Sequence, residues 1–159
     1  MTKKIHKTLL LETGIVTTPT PKGRPRFTSR GRSYTPAATV KAEHEMANAL
    51  LQKTREKGGE WPKTGPLAVS VVFAMPVPES WSKKKQQQAR SNELWHTSRP
   101  DADNLLKLVL DAANGVLWVD DAQLVMVGAG KEYAVKHTGV MLELFSVSLV
   151  NDDDEDDSR

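Results

Sequence analysis

Hydrophobic and polar residues alternate along several stretches of this chain as in β-strands, and recur every three to four residues in two others. Strands are predicted at residues 9–16, 67–75, 123–128 and 140–149, with a short apolar strand at 116–119. The two longer helices are predicted at residues 37–53 and 105–113, and a short polar helix at 80–90. This order predicts a single α+β domain, with a mixed sheet of about four or five strands and two main helices.

The segment before the second long helix carries two aspartates, Asp101 and Asp103. Pro100 disfavours helix at Arg99, so the chain is expected to arrive extended. Residues two apart in an extended segment point the same way, and the two carboxylates are therefore expected to converge. Lys107 lies one helical turn beyond Asp103, on the same face of the predicted helix.

A second acidic pair, Asp120 and Asp121, follows the predicted strand at 116–119. Because little chain separates that strand from the helix, we expect the second pair to fold back beside the first. Four neighbouring carboxylates repel one another unless cations neutralise them. Oxygen ligands without histidine or cysteine favour Mg²⁺ or Mn²⁺ over zinc. The pattern predicts a metal site that hydrolyses phosphodiesters, with these residues as ligands: Asp101, Asp103, Asp120 and Asp121.

Each of these residues also has a purely structural interpretation. Asp103 would cap the helix, Asp101 would hold the turn, the second pair would form a polar turn, and Lys107 would pair with Asp111. Other catalytic designs fit less well, because no nucleophile elbow and no phosphate-binding loop occur, and so no nucleotide cofactor is expected. His96 lies near the aspartates, and we do not predict a catalytic role for it.

The charge distribution predicts a polyanionic partner. The net charge is +2, but the last eight residues carry −5, which leaves +7 on the remainder. Phe27 and Tyr34, in or beside a proline- and arginine-rich loop at residues 17–32, are available for stacking on bases. The alternative is that the basic loop and the lysine run at residues 83–85 are solvated surfaces without a ligand. The basic residues predicted to contact DNA are Lys22, Arg24, Arg26, Arg30, Arg32, Lys83, Lys84, Lys85 and Arg99.

Size and composition add few constraints. The 159 residues suit one domain at 1–150, followed by an acidic tail at 151–159 that is expected to be disordered. No apolar run approaches the roughly 18 residues of a membrane helix. The chain has no cysteine, which is compatible with the reducing cytoplasm, where we expect the protein to act.

Residues 99–107, the following Asp111-Ala112 and residues 118–125 together resemble the RusA family of Holliday-junction resolvases. The resemblance implies a small, dimeric, Mg²⁺-dependent endonuclease that nicks opposed strands of four-way DNA junctions in recombination and repair, often encoded by prophages. By position it implies that Asp101, Asp103 and Asp121 hold the metal and that Lys107 is essential. The arginine run that some members have before the first aspartate is reduced here to Arg99. A nuclease for flaps or other branched DNA, and a non-catalytic DNA-binding module, remain as alternatives.

Overall fold

Four strands form the main sheet of the molecule. A computed structural model describes residues 2–151. The strands are β1 (Lys3–Val16), β4 (Leu67–Met75), β5 (Leu124–Tyr133) and β6 (Gly139–Asn151), in the spatial order β1-β6-β4-β5. β6 is antiparallel to both of its neighbours, while β4 and β5 run parallel. Two short strands, β2 (Arg26–Phe27) and β3 (Ser33–Tyr34), form a separate hairpin.

Helices α1 (Ala37–Lys57) and α3 (Ala102–Ala113) pack together and, with the sheet, enclose one core. Alternate residues of β4, such as Val69, Val71 and Phe73, are buried there opposite alternate residues of β6. Leu50 of α1 and Leu105 of α3 are fully buried in the same cluster. A third helix, α2 (Lys83–Arg90), is short and mostly exposed, with Ser82 and not Ser80 as its N-cap.

The predicted α+β class, the mixed sheet and the two main helices are confirmed. The first strand begins at Lys3 and not at residue 9, because its polar N-terminal half pairs with the end of β6, where Lys3 lies opposite Asn151. The hydrophobic pattern does not indicate this half, since nearly all its side chains are exposed. Pairing with a neighbouring strand therefore decides the structure of residues 3–8.

The predicted strand at residues 116–119 is wrong. These residues form a tight turn after α3, in which the Gly115 amide donates to the Trp118 carbonyl at 2.8 Å. Leu117 and Trp118 are fully buried beneath this turn, which is why the segment is apolar without belonging to the sheet. The predicted acidic tail lies outside the residues described, except for Asn151 at the end of β6. Within residues 2–151 no helix is both long and apolar enough to span a membrane.

Candidate active site

The first acidic pair lies at the N-terminus of α3. Asp101 occupies the N-cap position and Asp103 the first helical turn, and both are exposed. The helix begins at Ala102, earlier than predicted, so the extended chain reaches only to Asp101. Asp103 is helical, and the prediction that the two carboxylates point the same way from an extended segment is wrong. Asp101 makes no capping hydrogen bond through its side chain. The positive end of the helix dipole favours negative charge at both positions.

Asp101 borders an open cleft of about 670 Å³. One wall is the loop from Thr18 to Lys22, and another is formed by residues of the segment that runs from His96 to Asn104. Backbone contact closes the two walls at one point, where the Lys22 amide donates to the Asn104 carbonyl at 2.8 Å. The cleft therefore joins Asp101 to the base of the arginine-rich loop.

Lys107 is exposed on α3, one turn beyond Asp103. It has no ion-pair or hydrogen-bond partner among residues 2–151, so the predicted structural pair with Asp111 is absent. Asp111 instead contacts Lys22, whose ammonium group also lies 2.8 Å from Glu43. The ammonium group of Lys107 thus remains available to a ligand.

The second acidic pair lies beyond the other end of α3. Asp120 caps a short 3-10 turn (Asp121–Gln123), accepting from the Ala122 amide at 2.7 Å, so its structural interpretation is confirmed. Asp121 accepts from the Trp118 indole N–H at 2.6 Å. This contact uses one oxygen of its carboxylate and leaves the other without a described partner.

The expectation that the two acidic pairs converge is wrong within one chain. β5 starts just after Asp121 and runs back along α3. Only its C-terminal end, near Lys131, reaches the segment that carries Asp101 and Asp103. The 12 residues of α3 span about 18 Å, which separates the two pairs by roughly the helix length. Accordingly, the described part of the chain contains no cluster of three metal-ligating side chains.

The segment before Asp101 is fixed by β5, a feature that the sequence did not predict. The ammonium group of Lys131 donates to the carbonyls of Ser98 and Pro100 at 2.8 and 2.9 Å. The ring of Tyr133 lies 4.9 Å from that of His96. Burial and the charge of Lys131 lower the pKa of His96. No sequence signal could identify these contacts, because they join residues about 30 positions apart.

Five basic residues of the loop are predicted DNA contacts. Four of them are exposed and lie on or beside the hairpin β2–β3: Arg24, Arg26, Arg30 and Arg32. Phe27 and Tyr34 are 73% and 47% exposed on the same hairpin. Lys22 differs, since its ammonium group is paired with the carboxylates of Glu43 and Asp111 at the partly exposed surface. Burial alone would lower the pKa of Lys22, but its two carboxylate partners more than offset this and raise it.

The remaining predicted DNA contacts lie on α2 and just before the acidic pair. Lys83 and Lys84 are exposed, and so is Arg99. The ammonium group of Lys85 lies 3.9 Å from the centroid of the Trp81 ring, and this stacking contact stabilises the start of α2. The structure thus leaves Lys83, Lys84 and Arg99 available for an external anion and gives Lys85 an internal partner.

Asp101 at the edge of the cleft, Asp103 and Lys107 on the adjoining helix, and a nearby basic hairpin are features expected of a protein that binds nucleic acid. The chain belongs to the RusA endodeoxyribonuclease family, whose model matches residues 17–144. The match includes Asp101, Asp103, Lys107 and Asp121. The chain is also similar to the uncharacterized protein YqaN of Bacillus subtilis (strain 168), with 32% identity over 118 residues, which cover 73% of this chain and 82% of that protein.

Proposed function

We propose that this protein is a Mg²⁺-dependent, structure-selective endonuclease that resolves four-way DNA junctions by paired nicks. The observation that carries the proposal is the group at the N-terminus of α3, where Asp101, Asp103 and Lys107 are exposed and make no side-chain hydrogen bond within the described chain. Both carboxylates lie at the positive end of the α3 dipole, and neither is used in a cap or an ion pair within the described chain. Membership of the endodeoxyribonuclease family supports the same reaction class.

The side chains present fit a hard divalent cation. Asp101 and Asp103 offer carboxylate oxygens, which Mg²⁺ and Mn²⁺ prefer, and no thiolate is available in the chain. When bound, the ion would lower the pKa of a water and neutralise charge on the scissile phosphate. Lys107 carries three donors and no lone pair when charged, so it acts on a phosphate oxygen and not as a ligand.

A second copy of the chain would complete the site. Asp121 lies at the start of β5 and Lys131, which holds the segment before Asp101, lies at its end. If two copies of β5 pair antiparallel across a two-fold axis, each Asp121 approaches the Asp101 and Asp103 of the other chain. Two equivalent sites would result, one for each of two symmetry-related DNA strands.

The edges of the sheet support this pairing. β5 is an edge strand, and residues 124–130 contain no charge and expose Val125, Met126 and Val127. The opposite edge, β1, carries Lys3, Lys7 and other bases, which are typical of edges protected against association. An uncharged, exposed edge strand is a ready surface for strand pairing.

Mixing inactive variants tests the shared site. We expect Asp101→Asn and Asp121→Asn each to abolish cleavage as pure proteins while still folding and binding junctions. In a mixed dimer, one site receives both substitutions and the other is intact, so mixing should restore single nicks in about half of the dimers. A site built within one chain would remain inactive after mixing, and wild-type cleavage by either pure variant would remove that residue from the site.

A further inference from the structure

Trp95 differs from the other three tryptophans of the chain. Trp118 is buried, the Trp61 indole donates to the Gly58 carbonyl at 3.0 Å, and the Trp81 ring packs 5.4 Å from Tyr133. Trp95 is 82% exposed, more than any other large hydrophobic residue of the described chain, and has no hydrogen bond or ring contact there. Folding therefore does not account for a tryptophan at this position.

The backbone that carries Trp95 is anchored. His96, the next residue, is buried beside Tyr133 and lines the cleft that Asp101 borders. Lys131 holds two carbonyls a few residues further on. Because His96 points inward and Trp95 outward, the indole is presented to solvent from a fixed segment, with only two side-chain angles free.

The surrounding charges indicate which ligand the ring would meet. Lys83 and Lys84 on α2 are exposed and have no described partner. They follow Trp81, whose ring packs on the same Tyr133 ring as His96, the neighbour of Trp95, so the start of α2 lies near Trp95. Arg99 follows Trp95 by four residues. An exposed ring among unpaired cations is typical of surfaces on which bases stack while the cations contact phosphates. Linear duplex offers few free base faces, because its bases stack on each other. A branch point exposes the faces of the bases at which stacking is interrupted.

We propose that Trp95 stacks on a base at the branch point and thereby contributes to the selection of branched over linear DNA. This inference rests on the proposed function. It assigns binding to Trp95 and leaves the chemistry to the acidic pair. Stacking of one base on an aromatic side chain typically changes affinity by about tenfold or more.

The test compares Trp95→Ala, Trp95→Phe and Trp95→Leu, with Leu9→Ala as a control that shortens an exposed apolar side chain on β1, the sheet edge opposite β5. Binding is measured without divalent metal to a four-way junction and to linear duplex of matched sequence. The junction carries 2-aminopurine next to the branch point, because stacking on an indole quenches its fluorescence.

We expect Trp95→Ala and Trp95→Leu to weaken junction binding about tenfold and to abolish the quenching, while Trp95→Phe keeps most of both. The Trp95 variants should bind the linear duplex as wild type does, and Leu9→Ala should match wild type on both substrates. Wild-type junction affinity and quenching in Trp95→Ala would overturn the inference, as would equal weakening on junction and duplex. A shift of Trp95→Ala to monomer in sedimentation would also overturn it, by showing that Trp95 contacts protein. If the wild-type protein does not bind or cut branched DNA, the proposed function itself fails, which is a separate result.

Discussion

Replacing Lys131 by methionine tests how the site depends on β5. The substitution removes two charge-assisted hydrogen bonds, of 2.8 and 2.9 Å, to the carbonyls of Ser98 and Pro100. Such bonds contribute roughly 1.5 to 3 kcal/mol each when buried, and Lys131 is only partly buried, so we expect a combined destabilisation of about 2 kcal/mol. This corresponds to about a 30-fold shift toward conformations in which the segment before Asp101 is released.

Hydrogen exchange of residues 97–104 and Mg²⁺ binding by calorimetry measure the effect. Lys131→Met should accelerate exchange there and weaken Mg²⁺ binding by up to about 30-fold, while Lys131→Arg retains much of both. The control is Lys136→Met, which removes the same charge from an exposed site. NMR titration of His96 gives an independent readout, because removal of the Lys131 charge should raise its pKa toward the ordinary value. Unchanged exchange and Mg²⁺ binding in Lys131→Met would refute the positioning role.

Individual lysines and arginines give three further predictions. Lys107→Ala should slow cleavage by about 100-fold or more yet retain Mg²⁺ binding in calorimetry; disappearance of both would make Lys107 a structural counter-ion. Neutralising Arg24, Arg26 and Arg30 together should lower the slope of log affinity against log salt by about 0.9 for every DNA phosphate that the hairpin no longer neutralises, and an unchanged slope would show a solvated hairpin. Lys22→Met should lower the free energy of unfolding by about 1 kcal/mol at pH 7. Because the pKa of Lys22 is raised above 10.5, the difference from wild type should fade as pH rises through that raised pKa, and thermal unfolding at two pH values checks this.

The local pattern predicted the elements that bury one clear face. The helix with Leu105 and Val109 on one stripe and the strand of residues 67–75 appear as expected, because the same side chains form the core. Residues 3–8 and 116–119 were misassigned for opposite reasons. The former are polar yet paired with β6, and the latter are apolar yet buried in a turn.

The composition of the site was more predictable than its arrangement. Asp103 and Lys107 were grouped correctly by helical spacing, whereas Asp101 was placed beside Asp103 by an extended spacing that the structure replaces with the N-cap position of α3. The position of Asp121 depends on where β5 joins the sheet, which no local pattern specifies. The partners of Lys22 and Lys131 could not be predicted either, because the sequence does not distinguish a solvated lysine from one that pairs with another part of the chain.

One gel assay tests the central claim directly. The claim is that Asp101 and Asp103, at the N-terminus of α3, cleave branched DNA with a divalent cation. The substrates are a synthetic four-way junction and a linear duplex, each incubated with and without Mg²⁺. We predict symmetrically placed nicks in the junction only with Mg²⁺, an intact duplex, and no nicks with Asp101→Asn. An uncut junction in both Mg²⁺ and Mn²⁺, or full cleavage by Asp101→Asn, would contradict the proposed function.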